Sequence, residues 1–135
     1  MQRVLIATDS DQVFAEVAAA LGSEDRELLR IRDGRSVRST VTDFEPEIIL
    51  LDLQIGNMGG VAACLDLRLE MGAGRLEPSP ILLLLDRAAD TFIAEQSGAD
   101  SWLIKPLDAR RIARAVTATL RGDTMTEGPV EHSLA

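Results

Sequence analysis

At 135 residues, 46% hydrophobic and 27% charged, the chain has the composition of one ordinary globular domain, large enough to build a core without staples. Twenty-two acids against 14 bases give a net charge of −8, which argues against direct nucleic-acid binding because phosphates repel an acidic surface. Cys64 and His132 are the only residues of their types, so an internal disulfide is excluded and the two cannot form a zinc site alone.

The first apolar run, Val4 to Ala7, reads as a strand and is too short for a signal peptide or a membrane span. A cytoplasmic protein with no membrane partner is the reading. Val13, Val17 and Leu21 then recur at helical spacing, and a weaker apolar run at Leu28 to Ile31 suggests a second strand. Asp33 is read as the N-cap of a helix whose apolar face is Val37, Val41 and Phe44. Pro46 stands just before the strand Ile48 to Leu51, where its missing N–H costs little. Val61, Leu65 and Leu69 predict the third helix, and Pro80 introduces the strand Ile81 to Leu85. Phe92, Ile93 and Gln96 suggest a fourth helix, Trp102 to Ile104 a fifth strand, and Ile112, Val116 and Leu120 a fifth helix capped by Asp108. Beyond Arg121 no apolar face continues, so the expectation is a domain over residues 1–121 followed by a flexible tail over 122–135.

Continuous apolar strands alternating with amphipathic helices predict an α/β domain with a parallel sheet covered on both faces, because each right-handed crossover lays a helix on the sheet. The doubly wound architecture has a functional corollary: its strand ends face one ligand crevice. Thr8 and Asp9 follow the first strand, Asp52 the third, Leu85 and Asp86 the fourth, and Lys105 the fifth, so all project toward one edge. Asp9 and Asp52 together would repel by several kcal/mol at short range, roughly 4 at an effective dielectric near 20, and so favour a divalent cation. Mg2+ suits one or two carboxylates with waters and phosphate oxygens in the remaining positions. With the Lys105 ammonium beside them, these groups suit phosphoryl transfer onto Asp52.

Three segments, Val4 to Asp9, Pro46 to Asp52 with Gly56-Asn57-Met58-Gly59-Gly60, and Ser97-Gly98-Ala99-Asp100 running to Lys105-Pro106, resemble the receiver domain of two-component response regulators. The resemblance implies a flavodoxin-like (βα)5 fold with a five-stranded sheet in the order 2-1-3-4-5. It also implies that Asp52 accepts a phosphoryl group, that Asp9, Asp52 and the Gln54 backbone carbonyl hold Mg2+, and that Lys105 pairs with the phosphoryl group. A cis Lys105-Pro106 bond and a reporter role for Trp102 belong to the same implication. Partners implied are a histidine kinase or small phosphodonor, and a downstream protein at the face of the fourth helix, fifth strand and fifth helix.

The departures from that pattern are specific. Thr8 stands where the family has a second acid, and Leu85 replaces the Ser or Thr whose hydroxyl bonds the phosphoryl group. Gly56 and Gly59 replace a frequent proline and a frequent aspartate, which predicts a looser acceptor loop. Mg2+ binding and the coupling of the switch positions Leu85 and Trp102 to phosphorylation are therefore expected to be weak. Asp11 and Asp86 are read first as helix caps, with a replacement carboxylate as the alternative. The leading function is a stand-alone receiver in a phosphorelay, at most catalysing its own phosphorylation and dephosphorylation. The alternatives are a pseudo-receiver that binds partners without phosphorylation, and a haloacid-dehalogenase-like phosphatase using Asp9 with Asp11 and the later acids Asp86 and Asp90. The arginines Arg110, Arg111, Arg114 and Arg121 are read as a solvated stripe or an acidic partner's landing site.

Overall fold

A computed structural model describes residues 1–128; His132 and the remainder of 129–135 lie outside the described residues. The strands are β1 (Gln2–Ala7), β2 (Arg26–Ile31), β3 (Ile48–Asp52), β4 (Ile81–Leu85) and β5 (Ser101–Ile104). They alternate with α1 (Asp11–Leu21), α2 (Val37–Phe44), α3 (Gly60–Gly72), α4 (Thr91–Ser97) and α5 (Ala109–Leu120), and short 3-10 turns lead into α2 and α4. All pairings are parallel and the order is β2-β1-β3-β4-β5, as the sequence reading expects.

Every residue of β3 and β4 is buried, which explains their unbroken apolar character. Side chains alternate between the two faces of the sheet. Val4, Ile6, Ile48, Leu50, Leu82, Leu84 and Leu103 meet Val13, Val17 and Leu21 of α1 and Ile112 and Val116 of α5. Leu5, Ile49, Leu51, Leu83, Leu85 and Trp102 meet Val37 and Val41 of α2, Cys64 and Leu67 of α3 and Ala94 of α4. Each fully buried leucine contributes about 1.5–3 kcal/mol relative to exposure, so the two cores dominate stability.

Two helix faces differ from the sequence expectation. On α3 the buried side is Gly60, Ala63, Cys64 and Leu67, whereas Leu65 and Leu69 are exposed, the latter at 71%. On α4 the buried residues are Ala94 and Ser97, and Phe92 is 68% exposed. At the start of α3 the reason is close approach. A Cβ at Gly60 would lie 2.3 Å from the Asp52 carbonyl oxygen, so the first turn of α3 has no room for a side chain against β3. Cys64 is packed inside, its thiol donating to the Ser97 carbonyl, and burial pushes its pKa up.

Candidate functional site

The strand ends gather as the alternation predicts. Asp52, the last residue of β3, is 1% exposed and its carboxylate carries three donors. Thr8 Oγ1 donates to Oδ2 at 2.7 Å, Lys105 Nζ to Oδ1 at 2.5 Å, and the Gln54 N–H to Oδ1 at 3.2 Å. An ionised carboxylate offers about four lone-pair sites, so roughly one remains for a further partner. Thr8 is fully buried and its hydroxyl oxygen accepts from the Ser10 N–H at 3.0 Å, which fixes the direction in which it donates. The hydroxyl thus satisfies one edge of the Asp52 carboxylate in the place where the resemblance leads one to expect an acid.

Lys105 is held between two carboxylates. Its Nζ also donates to Asp86 Oδ1 at 2.9 Å, and Gln54 Nε2 donates to Asp86 Oδ2 at 2.8 Å. Burial of the amine favours its neutral form, but the hydrogen bonds to Asp52 and Asp86 outweigh this and leave its pKa above that of an ordinary lysine. Burial likewise works against Asp86 ionisation, and the bonds from Lys105 and Gln54 reverse it, so the Asp86 pKa falls below its usual value. The Lys105-Pro106 peptide bond is cis.

Asp86 therefore does not cap a helix, contrary to the first sequence reading. Nor does Asp11, because Ser10 is the cap of α1 and accepts from the Val13 N–H. The Asp11 carboxylate instead pairs with Arg30 at 2.8 Å and Arg32 at 3.1 Å. Asp90 is drawn into the turn before α4, accepting from the Arg87 N–H. The second acid and one of the later acids of a phosphatase reading are thus committed to arginines and a backbone turn. Asp33 and Asp108 do accept from the backbone at the starts of their helical segments, as predicted.

An open pocket of about 750 Å³ is lined by Asp9, Asp52, Gln54, Gly56, Lys105 and Pro106 among others. Asp9 is exposed at its rim, and a Cβ at Gly56 would come within 3.2 Å of Asp9 Oδ2. Among the described residues no group of three or more His, Cys, Asp or Glu side chains is arranged to hold a metal ion. The donor set that remains, two carboxylates on one pocket, is what Mg2+ with water and phosphate ligands accepts.

The loop after β3 is tied to the loop after β2. Asn57 donates to Asp33 Oδ1 at 3.0 Å, and the Gly34 N–H donates to the Gly56 carbonyl at 3.0 Å. At Gly34 any Cβ would lie 1.9 Å from the Met58 carbonyl oxygen, so the loop after β2 is laid directly on the loop after β3. Glycine here serves contact between two backbones rather than freedom of one. Leu85 is fully buried in the core with Trp102, which is 9% exposed.

The profile of the response regulator receiver domain matches residues 4–117. The chain belongs to this family. Receiver domains are the response-regulator components of two-component signalling. The chain is 29% identical over 122 residues to the DNA-binding response regulator MtrA of Mycobacterium tuberculosis, an alignment covering 89% of this chain and 51% of that protein. The receiver thus spans about half the length of the curated relatives it matches. Among solved structures it resembles a putative response regulator from Chloroflexus aurantiacus, with TM-score 0.79, 21% identity and coverage of 89% and 98% of the two chains. It also resembles the chemotaxis response regulator CheY4 of Vibrio cholerae, with TM-score 0.75, 22% identity and coverage of 87% and 97%.

Proposed function

We propose that this receiver accepts a phosphoryl group on Asp52 from a histidine kinase or a small phosphodonor and passes the signal by protein contact. The observation that carries the reading is the convergence of Asp52 and Lys105 at 2.5 Å on one pocket that Asp9 also lines. In the transfer, an Asp52 carboxylate oxygen forms a bond to phosphorus as the bond to the donor's leaving group breaks. The esterified oxygen loses its charge, and the Lys105 ammonium turns to the new phosphoryl oxygens as its stronger partner. Asp9, Asp52 and the Gln54 carbonyl would hold Mg2+, which when bound neutralises the phosphoryl charge.

Leu85 offers no hydroxyl to the phosphoryl group, so the link from the site to the loop after β4 runs through Asp86 and its shared lysine. When Lys105 moves to a phosphoryl group, Asp86 loses a charged partner and keeps only Gln54. The loop then responds by release rather than by the inward pull a hydroxyl would exert. A second reading, a pseudo-receiver that binds without phosphorylation, is favoured by the Thr8 hydroxyl that already satisfies Asp52. Intact-protein mass spectrometry after incubation with acetyl phosphate and Mg2+ separates the two. Addition of one phosphoryl group, abolished in Asp52→Asn, supports phosphorylation; no addition under any condition supports the pseudo-receiver.

A further inference from the structure

β5 ends the sheet, so one row of its backbone groups has no neighbouring strand. Open edges recruit extended segments. In this receiver the edge is filled by the residues after α5, which the sequence reading treats as tail. The Trp102 N–H donates to the Met125 carbonyl at 3.1 Å, and the Glu127 N–H donates to the Trp102 carbonyl at 3.1 Å, forming a parallel bridge between Trp102 and Thr126. The Met125 N–H donates to Ser101 Oγ at 3.0 Å. One step along, the Ile104 N–H donates to Glu127 Oε1 at 2.9 Å, so a side-chain carboxylate stands where an added strand would present a carbonyl.

The partner of that carboxylate is built independently of it. Arg111 Nη1 donates to the Pro106 carbonyl at 2.8 Å and to Asp108 at 3.2 Å, and Nη2 donates to the Ile104 carbonyl at 2.9 Å. These bonds leave Nε and the second valence of Nη2 facing the edge, where both meet Glu127. A guanidinium fixed in this way is a preformed carboxylate receptor. These polar bonds, rather than apolar packing, hold the segment: Thr126 is exposed, and of residues 125–127 only Met125 packs against the core. At Gly128 it reaches the start of α4, where a Cβ would lie 2.6 Å from the Thr91 methyl.

We infer that the outer edge of β5 is a strand-accepting docking surface, that residues 125–127 are its intramolecular occupant, and that the partner it fits is an extended segment bearing a carboxylate in the position of Glu127. The tethered segment competes at high effective concentration, so a partner gains the edge only by displacing it. None of this depends on phosphorylation of Asp52.

Amide hydrogen exchange by NMR on the full chain tests the inference. The amides of Trp102, Ile104 and Glu127 are expected to exchange together, about 100-fold or more faster than the Leu53 amide, which is bonded to Leu84 inside the sheet. Glu127→Gln, which keeps the backbone bonds and removes the ion pair, should speed Trp102 and Ile104 exchange by a further factor of about 10 and leave Leu53 unchanged. In the full-length Glu127→Pro variant, a peptide of sequence Asp-Thr-Met-Thr-Glu-Gly should shift the Trp102, Ile104 and Arg111 signals and slow their exchange. The same peptide with Gln for Glu should bind about 10-fold more weakly. Wild-type edge amides exchanging no faster than Leu53, or a peptide that leaves the edge signals unmoved in the variant, would overturn the inference and make the segment a fixed part of the fold.

Discussion

Replacing Thr8 by aspartate tests the electrostatic account of the acceptor site most severely. Thr8 is fully buried and donates to Asp52 Oδ2 at 2.7 Å. In Thr8→Asp that donor is lost, which costs about 1.5–3 kcal/mol for a bond to a charged group. A second carboxylate within about 4 Å of the first adds roughly 4 kcal/mol of repulsion at an effective dielectric near 20. Binding a proton relieves the repulsion, and at pH 7 this caps the electrostatic part at about 4 kcal/mol, since each pKa unit is worth 1.36 kcal/mol. The metal-free variant should therefore be about 5.5–7 kcal/mol less stable than the wild type, a large part of a typical domain's stability. Mg2+ at about 100 times its dissociation constant should return about 2.7 kcal/mol. Urea unfolding at pH 7 with and without Mg2+ reads both effects, and Thr8→Val, which loses only the hydrogen bond, is the control whose Mg2+ response should not exceed that of the wild type. A Thr8→Asp chain as stable as wild type in metal-free buffer, or one that gains no more from Mg2+ than wild type, refutes the reasoning.

Lys105→Met removes the charge paired with a carboxylate that is 1% exposed, so unfolding free energy should fall by about 3 kcal/mol, and a drop under 1 would mean that Thr8 and Gln54 suffice. Gly60→Ala should destabilise by about 1–3 kcal/mol, measured by thermal denaturation, because its Cβ meets the backbone of Asp52 and the helix must move away from the acceptor. The lowered pKa values of Asp86 and Glu127 make a contribution that is complete above the ordinary carboxylate range and lost as pH falls through their folded values, so stability should decline below about pH 4 and less steeply in Asp86→Asn. The raised Lys105 pKa acts in the opposite sense, its contribution being complete below about pH 10 and lost at higher pH. Alkaline titration of Lys105→Met should lack that loss.

The fold was legible because β3 and β4 are apolar without interruption and because capping acids such as Asp33 and Asp108 mark helical starts. The convergence of Asp52 and Lys105 followed from parallel strands alone. Which side of α3 and α4 faces inward was not legible: both helices carry large apolar residues outside, and apart from Leu67 the buried positions are the small residues Gly60, Ala63, Cys64, Ala94 and Ser97. Asp86 looked like a cap because its carboxylate partners, Lys105 and Gln54, come from other strand ends. The β5 occupant left no periodic trace, since it is held by backbone bonds and by one ion pair between Arg111 and Glu127 rather than by an apolar face. The contact between the loops after β2 and β3 was equally illegible. Glycine is indifferent to whether it supplies flexibility or contact, and at Gly34 only the position of Met58 decides.

The central claim is that Asp9, Asp52 and Lys105 form one pocket able to host a phosphorylated side chain with Mg2+. Fluorine NMR of the protein with beryllofluoride and Mg2+ addresses it without requiring turnover. The account predicts bound fluoride resonances that need Mg2+, disappear in Asp52→Asn and weaken in Asp9→Asn and Lys105→Met. A folded wild-type chain giving no bound resonance at saturating reagent, or one unaffected by Asp52→Asn, contradicts it.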